Sequence, residues 1–249
     1  AGTITSETKA NSFMSAVSYT SAGASGTIGT NLDSIELAIV KDRDGVGNWQ
    51  VYISSSVDAS MGIGHYLWLN SSNAKDGGGT TGNEFLNTIG GVLGVHADSG
   101  LATNLHDYIA YCFASVAGKC KVGSYTGTGA AGNVVDCGFE PAWVMIKCTS
   151  HAENTGWGIF DVKRPETSDV FDEILRANSS ALPDTTMSPT LVLGTDTGFT
   201  VGIPHDVYGF NTSTYTYIYL AIAKDVDGTI PKYDLTYPTQ TAPTRIALS

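Results

Sequence analysis

Thr214-Tyr215-Thr216-Tyr217-Ile218-Tyr219-Leu220-Ala221-Ile222-Ala223 is an uncharged run in which Thr and Tyr alternate before an apolar stretch takes over. β-Branched and aromatic residues at period two predict a strand. The alternating half predicts one face toward water. The pair Tyr217-Ile218 has a counterpart 109 residues upstream in Tyr108-Ile109, which opens a similar apolar run ending at Ala114. Other landmarks return in the same order. Ser18-Tyr19-Thr20 returns as Ser124-Tyr125-Thr126 at an offset of 106, and Ala38-Ile39-Val40-Lys41 as Val144-Met145-Ile146-Lys147 at the same offset. A Trp follows each Lys, at Trp49 and Trp157, and Asn70-Ser71-Ser72 matches Asn178-Ser179-Ser180 at an offset of 108. A drift of three residues over the whole repeat is what small loop insertions produce.

The chain therefore reads as an N-terminal arm (residues 1–14), a first unit (15–118), a second unit (119–223) and a Pro-rich C-terminal arm (224–249). The junction, Val116-Ala117-Gly118-Lys119, is too short for a flexible linker, so close packing of the units is expected. In the second unit Lys121–Thr126 reads as a strand, Gly127–Gly132 as a turn and Asn133–Cys137 as the returning strand of a hairpin. Trp143-Val144-Met145-Ile146 is continuously apolar and predicts a strand buried on both faces. Trp157–Phe160 is its expected hairpin partner. Residues 169–177 fit a short helix or a strand, and Leu191–Leu193 and Gly198–Val201 predict two more strands. Many short strands per unit predict an all-β protein of two tandem β-sandwich, jelly-roll-like domains with an extended C-terminal arm. Pro231, Pro238 and Pro243 exclude a helix or central strand from that arm.

Hydrophobic residues make up 42% of the 249 and charged ones 15%, the balance of a folded chain. The formal net charge of -11 disfavours nucleic acid as a partner, because a phosphate backbone would be repelled. No apolar run approaches the length of a membrane-spanning helix, so membrane insertion is not expected. The four cysteines, at 112, 120, 137 and 148, contain no C-x-x-C pair. They read as reduced thiols packed as small hydrophobes, with a Cys120–Cys137 bridge as the alternative.

Motifs for chemistry are sparse. G-x-S-x-G, H-E-x-x-H and P-loop patterns are missing, and Gly77-Gly78-Gly79 lacks the Lys and helix of a phosphate loop. No catalytic residue and no cofactor is assigned. Two Asp-rich turns, Lys41-Asp42-Arg43-Asp44-Gly45 and Lys224-Asp225-Val226-Asp227-Gly228, follow apolar strands. Alternate carboxylates there make Asp42, Asp44, Asp225 and Asp227 calcium candidates. Neither turn carries the closing Glu of a calcium loop, and Asp and Gly also favour plain turns, which is the expectation carried forward. Trp49, Trp143 and Trp157 sit in strand positions that predict core packing.

The second unit resembles a domain of tailed-bacteriophage virion proteins. The resemblance lies in Ser124-Tyr125-Thr126-Gly127-Thr128-Gly129, in Asp136-Cys137-Gly138-Phe139-Glu140-Pro141 leading into Val144–Lys147, in Gly156-Trp157 through Asp161, in Leu175 through Ser180, and in Thr216–Ala223. The first unit matches loosely, with Asn31-Leu32 where the second has the Cys-Gly-Phe-Glu-Pro element. The resemblance implies a β-sandwich with a structural or adhesive role in the virion and no catalytic residues. The family often serves in tail fibres, but with 14 residues ahead of the first unit and no coiled-coil or triple-helical shaft the expectation is a capsid decoration protein; a tail fibre or tail appendage that binds a host glycan is the alternative, and a glycan hydrolase, from another class, a second. The partners the resemblance implies are major capsid or tail proteins and further copies of the chain, as a trimer.

Overall fold

A computed structural model describes residues 5–61, 64–77, 88–89, 91–96, 100–152, 156–164, 170–171, 173–183, 192–202 and 209–224. The fold is all-β, as the composition predicts. Its one helical element among the described residues is a single 3-10 turn at Ala59–Met61.

The first half contributes ten strands. They are β1 (Thr5–Ala10), β2 (Met14–Thr20), β3 (Gly26–Gly29), β4 (Leu37–Asp42), β5 (Gln50–Ile53), β6 (His65–Trp68), β7 (Asp76–Gly77), β8 (Thr88–Ile89), β9 (Val92–Val95) and β10 (Asp107–Phe113). The second half contributes β11 (Cys120–Thr126), β12 (Asn133–Asp136), β13 (Pro141–Cys148), β14 (Trp157–Asp161), β15 (Val170–Phe171), β16 (Leu175–Arg176), β17 (Val192–Thr195), β18 (Gly198–Val201) and β19 (Thr216–Ala223). Every pairing is antiparallel.

Each half builds one large and one small sheet. The first large sheet runs β1-β2-β10-β4-β5-β6-β7 and the second β11-β19-β13-β14-β16. The small sheets run β3-β9-β8 and β12-β18-β17-β15. Aligned on the repeat, β2-β10-β4-β5-β6 and β11-β19-β13-β14-β16 have the same order. The register agrees too, with Tyr19 opposite Tyr108 as Tyr125 is opposite Tyr217, and Lys41 opposite Ile109 as Lys147 is opposite Ile218.

The four sheets stack with three buried layers between them. Val17, Tyr19, Val40, Tyr108 and Ala110 of the first large sheet pack on Ile28, Leu93 and Val95 of its small sheet. Val144, Ile146, Phe160, Tyr217 and Tyr219 pack on Val135, Phe199 and Val201 in the second half. The middle layer joins the halves: Leu37, Val51, Ile53, Leu67 and Phe113 meet Cys120, Val122, Met145, Trp157, Ile218 and Leu220. At a typical coefficient of about 25 cal/mol per Å² of apolar surface, burial of such side chains is the main force holding the stack together.

This stacking corrects two expectations. The alternation in β19 does not give a wet face: Tyr217 through Ala221 are all buried, because the first large sheet covers the side opposite the second small sheet. β11 and β12 do not form a hairpin. β11 pairs with β19 and β12 with β18 in another sheet, since only Val135 of β12 is buried and its place is across the sandwich. Of the helix and the strand that residues 169–177 fit, the described residues show strand, as the short β15 and β16. The continuously apolar β13 is buried on both faces, and β14 is its hairpin partner, as read from the sequence. Thr5–Ala10, within the expected N-terminal arm, forms the edge strand on β2. All but Lys224 of the C-terminal arm lies outside the described residues.

Candidate functional site

The landmarks of the repeat turn out to be hydrogen-bonding devices used twice. Tyr108 accepts from the Thr103 amide at 3.0 Å and donates to the Gly100 carbonyl; Tyr217 accepts from the Thr212 amide at 3.1 Å and donates to the Gly209 carbonyl. Each ring stacks on the Tyr opposite, with centroids 4.9 Å apart for Tyr19–Tyr108 and 5.1 Å for Tyr125–Tyr217. Tyr19 and Tyr125 donate in turn to the carbonyls of Leu101 and Phe210. The Asn of each Asn-Ser-Ser turn accepts from the amide of its Trp, Asn70 from Trp49 at 3.1 Å and Asn178 from Trp157 at 3.0 Å. Even the backbone strain is shared: Leu105 and Thr214, matched residues at the head of β10 and β19, both have positive φ (62° and 69°).

Where the two halves meet, the second unit offers a ledge on the middle-layer face of its large sheet, and residues 54–61 and 64–75 of the first unit bond to it, burying Lys147 and Thr149 while Ser124 at its end stays exposed. Ser124 Oγ donates to the Val57 carbonyl at 2.6 Å. Thr149 Oγ1 donates to the Asp58 carboxylate at 3.0 Å, and the Thr149 carbonyl accepts from the Lys75 amide at 3.1 Å. Lys147, fully buried, donates through Nζ to the carbonyls of Ser72 (3.2 Å) and Cys148 (2.8 Å). The Trp157 indole donates to the Trp68 carbonyl at 2.8 Å. A buried ammonium needs such oxygens, because desolvation without them costs several kcal/mol (about 3–5 when one partner of a buried pair is lost).

Among the described residues the matching ledge of the first unit is open. Ser18, Thr20, Arg43 and Asp107 line it together with Ser6 of β1, Tyr19 and Tyr108, around a shallow cavity of about 300 Å³. Thr20 donates to Asp107 at 2.6 Å, and Arg43 and Asp107 are exposed. Sequence reasoning missed this site. Its one signal was that Lys41-Asp42-Arg43 stands where the second unit has Lys147-Cys148-Thr149.

The expected calcium turn at Asp42 and Asp44 borders the ledge, but its carboxylates already have partners. Asp42 Oδ1 accepts from the amides of Asp44 (3.0 Å) and Gly45 (2.9 Å), and Oδ2 faces His106 Nδ1 at 2.9 Å. Asp44 Oδ2 accepts from the Asp107 amide at 2.6 Å. Burial alone would raise the Asp42 pKa, yet the bonds from His106 and the two amides outweigh it and hold the carboxyl below its ordinary range. Among the described residues no three of His, Cys, Asp and Glu gather as metal ligands. Asp225 and Asp227 lie outside the described residues. All four cysteines are buried thiols outside any disulfide. Cys120 belongs to the middle layer and Cys137 to the second unit's own core, so they sit on opposite sides of one sheet and do not bridge. Trp157 is core, whereas Trp49 and Trp143 are half-buried.

Fold and site together define an all-β protein whose duplicated sandwich carries one filled ledge and one open one. The chain belongs to the family described as a domain of unknown function (DUF7483), which matches residues 1–225 and so spans both halves. No curated protein and no solved structure matches it.

Proposed function

We propose that this chain is a non-enzymatic structural protein of a tailed-bacteriophage virion, acting as a capsid decoration protein. The observation that carries the reading is the middle core. It joins the two halves through large apolar side chains and the buried Lys147, Thr149 and Trp157 bonds, making one stiff four-sheet block. A decoration protein works by adding buried interface between neighbouring capsomers, and a block that does not hinge transmits that binding energy to the shell. The resemblance of the second unit to virion domains supports the same reading. The open ledge favours the alternative of a tail appendage that adheres to host glycan, since hydroxyls beside an Arg and an Asp suit a polar ligand.

Antibody labelling of purified particles by electron microscopy tests this. Label over the whole capsid surface is the expected result. Label confined to the tail would replace decoration with the appendage, and absence from washed particles would end the virion reading.

A further inference from the structure

We propose that the open ledge of the first unit is a docking site for a short acidic turn segment of another protein. The inference holds whichever particle or surface the chain serves. Its basis is the second ledge, which acts as an internal template. Strand order and register match between the halves, so Ser124 corresponds to Ser18, Lys147 to Lys41, and Thr149 to Arg43.

In the second unit these positions hold a peptide. Ser124 binds a backbone carbonyl, that of Val57, and Thr149 binds the carboxylate of the next residue, Asp58. In the first unit Ser18 is retained, and the carboxylate-binding position carries a guanidinium instead of a hydroxyl. An Arg binds a carboxylate through two parallel N–H bonds and is the stronger partner. The Arg43 guanidinium makes no hydrogen bond among the described residues and lines the cavity with Ser18, Thr20 and Asp107. Lys41, by contrast, is turned into its own loop, donating to the carbonyls of Asp42 and Gly45. That leaves Arg43 as the cation for an incoming acidic side chain and Asp107 as an acceptor for a peptide N–H. The chemistry specifies a short Val-Asp-like segment held in a turn, as residues 54–58 are, with one carboxylate beside one free carbonyl.

The probe is the fluorescein-labelled peptide Ser54-Ser55-Ser56-Val57-Asp58-Ala59-Ser60-Met61, a copy of the segment that fills the second ledge. It is titrated into the full chain by fluorescence anisotropy, with ¹⁵N shifts followed in parallel. Saturable binding is expected, with shifts concentrated at Ser18, Thr20 and Asp107. Arg43→Glu is expected to weaken binding about tenfold or more, as is Asp58→Asn in the peptide. Circular dichroism checks that Arg43→Glu folds, and Arg43→Gln replaces it if it does not. Absence of saturation, shifts located elsewhere, or binding indifferent to both Arg43 substitutions would overturn the proposal. Concentration-dependent dimers that vanish in Arg43→Glu would also overturn it, by making a second copy the occupant.

Discussion

Replacing Trp157 with alanine should cost far more than the same change at Trp49, although the two residues occupy matched places in the repeat. Both receive the same Asn bond at the backbone amide, which alanine keeps. They differ in what covers the ring. Trp157 is 1% exposed in the layer between the halves, and its indole N–H donates to the Trp68 carbonyl. Truncating a buried Trp costs about 3–5 kcal/mol through lost transfer energy and the cavity left behind. Leaving the Trp68 carbonyl without its donor adds about 1 kcal/mol. Trp49 is half-buried, and its loss should cost roughly 1–2 kcal/mol. Urea unfolding followed by far-UV circular dichroism, with unchanged slopes, measures both. The expected gap is about 2–5 kcal/mol, a large part of the roughly 5–15 kcal/mol that stabilises a domain. If Trp157→Ala proves too unstable to purify, Trp157→Phe isolates the N–H and part of the ring at about 1–2 kcal/mol. Equal costs at the two sites, or two separate unfolding transitions in the wild type, would refute the shared core.

Asn70→Ala and Asn178→Ala should each lose about 1 kcal/mol, because each leaves a Trp backbone amide without its acceptor; a thermal scan showing no change in either variant counts against their shared role. Burial pushes the thiols of Cys112, Cys120 and Cys137 up to about 12, so native protein at pH 8 should titrate slowly with a thiol reagent and react fully once unfolded in guanidinium. The Asp42 carboxyl is held below its ordinary range, so its contribution to stability is present at neutral pH and is lost as pH falls below about 4 toward the lowered folded value. Asp42→Asn should therefore narrow the gap in melting temperature between pH 7 and pH 3, and an unchanged gap would remove His106 and the turn amides as its stabilising partners.

Much of the fold was legible because the repeat landmarks are the residues with the fewest substitutes. A Tyr that both accepts from an amide and donates to a carbonyl, as Tyr108 and Tyr217 do, needs the ring and the hydroxyl together. An Asn bonding a strand amide is similarly restricted. The apolar run of β13 announced its two buried faces through composition alone. What stayed hidden was which layer each strand joins. β11 and β12 are separated by a plain Gly-rich turn, and nothing local distinguishes a hairpin from a crossing between sheets. Gly123 lies inside a stretch that reads as a strand, and nothing local says why a Gly stands there. In the structure its place opposite Tyr219 is set by space, since a Cβ there would lie 2.4 Å from the ring. The ledges were hidden for a longer-range reason. Whether Thr149 or its counterpart Arg43 is covered depends on the path of the first unit's chain across the other half, which no local pattern encodes.

The two units also protect the same sheet edge in different ways, and this limits how the protein can assemble. An unpaired edge strand is a template for another chain. In the first unit β1 covers β2. The second unit has no such strand among the described residues, and the junction does the work instead. Val116 and Cys120 bridge, and the Val122 amide donates to Ser115 Oγ at 3.0 Å, while Ser115 is itself held by Glu36 through its amide at 2.7 Å. Farther along, the Thr126 carbonyl accepts from Asn133 at 3.0 Å, and Ser124 is engaged with Val57. With β11 blocked at both ends, its edge is a poor place for a neighbouring chain to add a strand. Association at β11 is then left to faces and loops, where recognition depends on side chains rather than on backbone pairing. The open ledge at Arg43 is such a place, and a chain that seals a sheet edge while leaving that ledge clear is suited to a defined partner more than to indefinite stacking.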